Sequence, residues 1–237
     1  MISRIVLAAF TLITSLVFGV GGASADGPAV SEAHPLVGAS VEAIGADHQD
    51  VQVFLADGAY YAPVGESLGF GLRLSVGLGL DEGDAKEAVA GGGFFFWADR
   101  ASVYFGVEVG GIHFGDLDRW GGGAIGGVYF EDWDLGGSGG FSGGDGDDGG
   151  VFGINAGWYA TEQLRLGASG IAGTDEVYGG EASIEWQPFG SESNWVLGAD
   201  AGGGSADGTG FYSAGVQLLY HFASPKSLKR QLREDRL

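Results

Sequence analysis

Residues 67–80 read SLGFGLRLSVGLGL, and this run constrains the fold more than any other stretch of the chain. Leu68, Phe70, Leu72, Leu74, Val76, Leu78 and Leu80 form one unbroken apolar row. Ser67, Gly69, Gly71, Arg73, Ser75, Gly77 and Gly79 form another that is small or polar throughout. A β-strand sends successive side chains to opposite faces, so the two rows meet different surroundings. A tilted strand crosses the hydrocarbon of a bilayer in about 9–11 residues. Lipid on one side and a polar lumen on the other require this alternation. Strands of soluble barrels and sandwiches alternate too, so the rest of the chain has to separate the cases.

The chain opens with MISRIVLAAFTLITSLVFGVGGASA. Arg4 supplies a positive start, residues 5–20 an apolar stretch, and Ala23-Ser24-Ala25 a small-residue cleavage site. Residues 1–25 therefore read as an export signal removed before Asp26, with an uncleaved anchor as the competing reading. No later run approaches the ~18 consecutive apolar residues of a membrane helix, so any insertion must be by strands. Cysteine is absent, so an exported chain of this size relies on backbone pairing and burial rather than disulfides. A formal net charge of -20 argues against nucleic-acid binding, which needs basic patches. Glycine is abundant, at 49 residues, but the five prolines and the lack of a three-residue period exclude collagen. Hydrophobic residues at 45% and aromatics at 12% argue against disorder.

After a lead at 26–36 without clear period, twelve strand-like runs follow: 37–45, 51–61, 67–80, 88–97, 102–114, 120–130, 134–142, 149–159, 163–172, 178–187, 194–203 and 210–222. The expected fold is all-β, a closed antiparallel transmembrane barrel over 37–222, with an even strand number. The run DLGGSGGFS at 134–142 is the weakest, and ten strands is the fallback. The connections fall into two alternating sets. With both chain ends on the inner side, the first set makes short periplasmic turns. The second makes outer loops rich in Asp and Glu, such as DEGDAKE, GDLDR and GTDEV. Trp97, Trp133, Trp158, Trp186 and Trp195 all fall beside first-set turns, and only Trp120 lies by the other set. Amphipathic rings collect where hydrocarbon meets water, so these five are expected to form an aromatic girdle.

The signal, the alternating strands, hairpins such as GWYATEQLRLGASG and EASIEWQPFGSESNWVLGADAG, and the closing run GFYSAGVQLLYHF give the chain its family likeness. It resembles the porin-like β-barrel proteins of the bacterial outer membrane over residues 37–222. The resemblance implies a place in the outer membrane among its lipids and lipopolysaccharide. It also implies insertion by the barrel-assembly machinery, guided by an aromatic residue that closes the last strand. Phe222 fits that role, although ASPKSLKRQLREDRL follows it. The implied job is passive: permeation of small solutes or a structural role, without enzymatic activity. Such architecture carries many functions. A lipid-modifying hydrolase barrel and a soluble secreted acidic β-protein are the alternatives.

Alternation places Glu42, Arg73, Glu108, Arg165, Glu181 and Glu185 on the inward row. There they either set ion preference in a narrow pore or pair and fill the lumen. The many inward glycines argue for some space, and the acidic excess implies cation preference if the barrel conducts. A hydrolase would need a serine beside a histidine at the rim. His113 lies there, but no serine motif accompanies it, and no catalytic, cofactor or metal residue is assigned. The segment GGDGDDGG at 143–150 resembles a single calcium-binding turn, but one copy reads as an acidic loop. Residues 223–237 form a basic segment holding five of the eleven Lys and Arg residues, Lys226, Lys229, Arg230, Arg233 and Arg236. It reads as a solvated periplasmic tail, or as a short basic helix touching anionic material.

Overall fold

Alternation over more than ten residues needs partners on both sides of every strand, and the chain supplies them by turning back on itself at each connection. The computed structural model describes residues 33–46, 49–81, 84–99, 103–145, 148–174, 176–190, 193–222 and 226–229. The export signal with its cleavage site, residues 26–32 of the lead, and the basic residues 230–237 lie outside them. Twelve strands follow in order: β1 His34–Ala46, β2 Gln49–Pro63, β3 Leu68–Asp81, β4 Asp84–Asp99, β5 Val103–Phe114, β6 Leu117–Tyr129, β7 Trp133–Gly144, β8 Gly149–Thr161, β9 Leu164–Gly173, β10 Tyr178–Trp186, β11 Trp195–Ala206 and β12 Thr209–His221. Each pairs antiparallel with the next, and β1 pairs with β12 from Leu36↔His221 to Ala46↔Phe211, so the sheet closes into a barrel. Closure leaves no unpaired edge.

The weakest run is a full strand. β7 pairs with β6 from Arg119↔Gly144 to Tyr129↔Asp134 and with β8 from Trp133↔Trp158 to Ser142↔Gly149, which removes the ten-strand fallback. Backbone ladders hold it, because its glycines give up side-chain packing but not hydrogen bonds. We call the rim where β1 begins and β12 ends the lower rim, and the other the upper rim. Two of the upper connections are tight. Gly115–Asp116 joins β5 to β6 and Asp207–Gly208 joins β11 to β12, the latter with Asp207 and Gly208 at φ 50 and 77, the left-handed geometry of a two-residue hairpin. Strands continue through acidic residues that composition had assigned to loops; β4 starts at Asp84.

The two faces of β3 separate as the alternation requires. Leu72, Leu74 and Leu78 point outward with more than half of their surface exposed, while Ser75 on the inner row is 3% exposed. The outer surface carries the same kind of side chain all round, with Val107, Val109, Phe152, Ile154 and Val216 among the most exposed. A continuous apolar belt of this extent is not stable against water and matches a hydrocarbon surround.

Inside, the glycines are not empty space. The rings of Phe96 and Phe94 on β4 occupy the positions that a Cβ at Gly69 and Gly71 would take, and Phe114 on β5 does the same at Gly79. Tyr104 lies across Gly127 of β6 in the same way. An aromatic ring laid flat on glycine recovers the packing that glycine lacks. The expected space at these inward glycines is thus filled by neighbouring strands.

Candidate permeation lumen

Six charged residues were expected on the inner row, and the strands carry all six inward. Their surroundings divide the lumen into three levels.

In the middle stretch the wall is largely polar or glycine, with Leu55 and Ile112 at its upper edge. Asp57 on β2 stands between two serines: Ser40 Oγ donates to it at 3.2 Å and Ser75 Oγ at 2.6 Å. Arg73 Nη2 donates to Tyr61 OH at 3.1 Å. Glu42, Gly215 and Asp200 share one cross-strand row over β1, β12 and β11. A Cβ on Gly215 would lie 2.9 Å from Asp200 Oδ1, so the carboxylate lies across the glycine towards Glu42. Glu181 follows on β10, where Ser183 is the residue paired with Asp200. Glu108 lies on β5, six strands round the ring from β11, with its Oε2 buried and without a hydrogen-bond partner. Beside it a cavity of about 120 Å³ rests on the glycine wall of β5, β6 and β7, and Arg119, Ser138 and Ser142 help to line it. Arg119 is tied to the upper rim, donating to Ser142 Oγ at 2.8 Å and to the Asp145 carbonyl at 3.2 Å. Glu42, Asp57, Glu108, Glu181 and Asp200 thus share the middle level with Arg73 on the same inward rows. Alternation alone had not singled out Asp57 and Asp200. On β2 both faces are apolar near the upper end, with Val51 and Val53 inward and Phe54 outward, which hides the inner row.

Towards the lower rim, Arg165 is clamped. Its Nε and Nη2 donate to Asp134 Oδ2 and Oδ1 at 3.1 and 2.8 Å, and its Nη1 donates to Glu185 Oε2 at 3.1 Å. All three side chains are buried, at 9%, 2% and 9% exposure. The missing side chain of Gly157 makes room for the guanidinium. Arg165 and Glu185 were expected inward; Asp134, the third member, is the second residue of the glycine-rich β7.

At the lowest level the lumen is filled. Leu36, Tyr61, Phe94, Phe96, Tyr104, Tyr129, Tyr159, Val196 and Leu219, from eight of the twelve strands, pack in one cluster to which Leu228 also belongs. Tyr61 and Val196 are fully buried. Tyr104 stacks on Tyr129 with centroids 5.4 Å apart, and His34 stacks on Tyr61 at the same distance. The upper half holds two separate clusters instead, around Ile44 and Phe114 and around Ile171 and Phe211. The lumen is therefore a polar middle above an aromatic floor.

Residues 226–229 of the basic segment meet this floor. Leu228 is fully buried and belongs to the aromatic cluster. Its amide donates to Gln187 Oε1 at 2.8 Å, and Gln187 Nε2 donates back to the Lys226 carbonyl at 2.8 Å. Ser227 Oγ donates to Glu162 Oε2 at 2.8 Å, and the Lys229 amide donates to the Glu162 carbonyl at 3.1 Å. Lys229 Nζ lies 3.0 Å from Asp132 Oδ1 and 3.7 Å from Glu162 Oε1. The reading of a solvated tail is corrected for residues 226–229: apolar burial of one leucine and a fitted amide partner outweigh the solvation expected of a basic run.

On the outer face, Trp97, Trp133, Trp158, Trp186 and Trp195 point away from the lumen at the lower rim, each 40–50% exposed. Trp133 and Trp158 stack at 6.0 Å, and Trp195 meets Tyr220 edge-on at 4.8 Å. Trp120 lies outward at the upper rim against Phe141. His113 is also outward at the upper rim, with Nδ1 2.7 Å from Asp118 Oδ1 and Nε2 3.2 Å from Glu87 Oε1. Both ring nitrogens face carboxylates, so the imidazole has no hydroxyl to activate. In the acidic connection at 145–148, Asp145 pins the rim through Asp118, and Asp147 lies outside the described residues.

No protein-family model matches the chain, and no curated protein matches it. Solved structures do. The chain is similar to an outer membrane channel from Pseudomonas putida F1, at 10% identity and TM-score 0.59 over 86% of this chain and 96% of that one. It is similar to the KdgM porin, at 9% identity and TM-score 0.54 over 78% and 99%. It is also similar to outer membrane phospholipase A from Escherichia coli, at 11% identity and TM-score 0.53 over 80% and 96%. The fold is that of a bacterial outer-membrane β-barrel.

Proposed function

We propose that this chain is an integral outer-membrane barrel through which small solutes pass passively, with cations and neutral solutes favoured over anions, and that it performs no catalysis. The apolar outer belt supports insertion in lipid. The five outward tryptophans of the lower rim support a girdle at the periplasmic interface, because both ends of the barrel's chain, the start of β1 and the end of β12, face the periplasm in such barrels. Lipopolysaccharide then surrounds the acidic upper rim, and the barrel-assembly machinery inserts the chain, with Phe222 beyond β12 as its aromatic signal.

The observation that carries the permeation reading is the middle of the lumen. Glu42, Asp57, Glu108, Glu181 and Asp200 line it together with Arg73, while serines and glycines leave polar wall between them. Clustered carboxylates between low-dielectric walls concentrate cations and repel anions. A filled structural barrel would pair such charges, as Arg165, Asp134 and Glu185 are paired below. The test is reversal potential across a salt gradient with the refolded protein in planar bilayers. Cation preference is expected, fading as the Debye length falls from about 30 Å at 0.01 M to about 3 Å at 1 M. Glu181→Gln with Asp200→Asn should weaken it. Anion preference at low salt would overturn the reading.

A further inference from the structure

The contacts of residues 226–229 bring together three connections of the lower rim. Asp132 lies between β6 and β7, Glu162 between β8 and β9, and Gln187 between β10 and β11, and all three hold one short segment. That segment presents a single apolar side chain to the lumen and polar groups to the rim. Leu228 completes the aromatic floor from below, and Gln187, itself 1% exposed, meets the segment's backbone with both ends of its amide while its Nε2 also donates to the Ser193 carbonyl of its own connection. A segment merely lying on the rim would need neither a buried leucine nor a buried amide to receive it.

We infer that residues 226–229 are a removable stopper for the lower mouth of the lumen, with Leu228 as the plug and Lys229 as the latch. The seat is made to open. One leucine and a few polar contacts hold it, and the Lys229 contacts reach Asp132 and Glu162, each about half exposed, where salt screens them. The inference deepens the permeation reading and rests on it for its purpose: the stopper decides whether the polar middle level communicates with the lower side.

The full chain has no cysteine, so Val196→Cys gives a single thiol in the buried cluster that Leu228 completes. A small membrane-impermeant cationic thiol reagent is applied from the lower side of the refolded protein in vesicles, and conductance is recorded in planar bilayers. With the native segment, labelling should be slow. Adding Leu228→Asp should speed it by about tenfold or more, since a carboxylate is not retained in an apolar seat. Lys229→Glu should speed it less, and raising salt should speed the Val196→Cys protein alone. If Leu228→Asp does not fold, judged by heat-dependent gel mobility, Lys229→Glu carries the test. Unchanged labelling in a folded variant overturns the stopper, whatever the conductance. Faster labelling with higher conductance supports stopper and permeation together. Faster labelling without conductance supports the stopper and removes the permeation reading.

Discussion

Arg165 offers the sharpest test of how dry the lower lumen is. Its guanidinium makes three charge-assisted hydrogen bonds, two to Asp134 and one to Glu185, among side chains no more than 9% exposed. Replacing it by methionine keeps most of the stem and leaves two carboxylates buried side by side. Removing one partner of a buried ion pair costs about 3–5 kcal/mol, because an uncompensated charge stays behind. At ~1.4 kcal/mol per tenfold, the folding equilibrium should fall by roughly two to three and a half decades. Urea unfolding in lipid vesicles, followed by tryptophan fluorescence, gives the number. The triple variant Arg165→Met, Asp134→Leu, Glu185→Leu should recover most of the loss, since apolar replacement of a whole buried ion pair is often neutral. A single-variant loss under about 1 kcal/mol would mean that water reaches the three groups, as at an exposed salt bridge. The description of a dry lower level would then be wrong.

Other perturbations read the remaining levels. On β1, Val41→Arg faces the outer belt and should cost ~2–4 kcal/mol, whereas Ser40→Arg meets Asp57 inside and should cost much less; vesicle folding titrations rank them, and equal costs would show that the two faces see one solvent. Gly71→Val should displace the Phe94 ring and cost about 1–3 kcal/mol; adding Phe94→Ala should return part of it, and no return would mean that the ring does not lie on the glycine. Sequencing the exported protein should give Asp26 as the first residue; a chain still starting near Met1 would refute cleavage after Ala25.

What the sequence made legible follows from period and length. Twelve strands stand where alternation places them because a lipid-facing row cannot slip by one residue without turning every side chain inside out. Even β7 obeys this: Trp133, Leu135 and Phe141 lie outward and Asp134 inward. The inward charges followed from the same parity. The filling of the lumen was not legible, because it depends on which rings cross the barrel. Phe94 and Phe96 sit directly opposite Gly71 and Gly69 in register, but Phe114 reaches Gly79 from two strands away. Nor was the seat of Leu228 visible. Leu228 and Leu232 have the i, i+4 spacing of a helix face, but that spacing does not say what Leu228 packs against, and its receptor, Gln187, is a single polar residue just beyond β10. Asp134 had a signal in its alternation with Gly136 and Ser138, but glycine neighbours made that row look empty.

Eleven of the twelve strand pairings join neighbours along the chain, and one does not. The seam between β1 and β12 joins Leu36 to His221, almost the whole barrel apart in sequence. Hairpins can zip one after another at small entropic cost, whereas the seam must wait until both ends of the sheet have been shaped and brought round. The segment carrying Leu228 follows the strand that makes the seam. Its receptors come from three separate hairpin connections, which stand at the right spacing only around a finished ring. Seating of Leu228 is thus a record of completed assembly: a barrel with an open seam has strands and turns, but no lower mouth for the segment to enter.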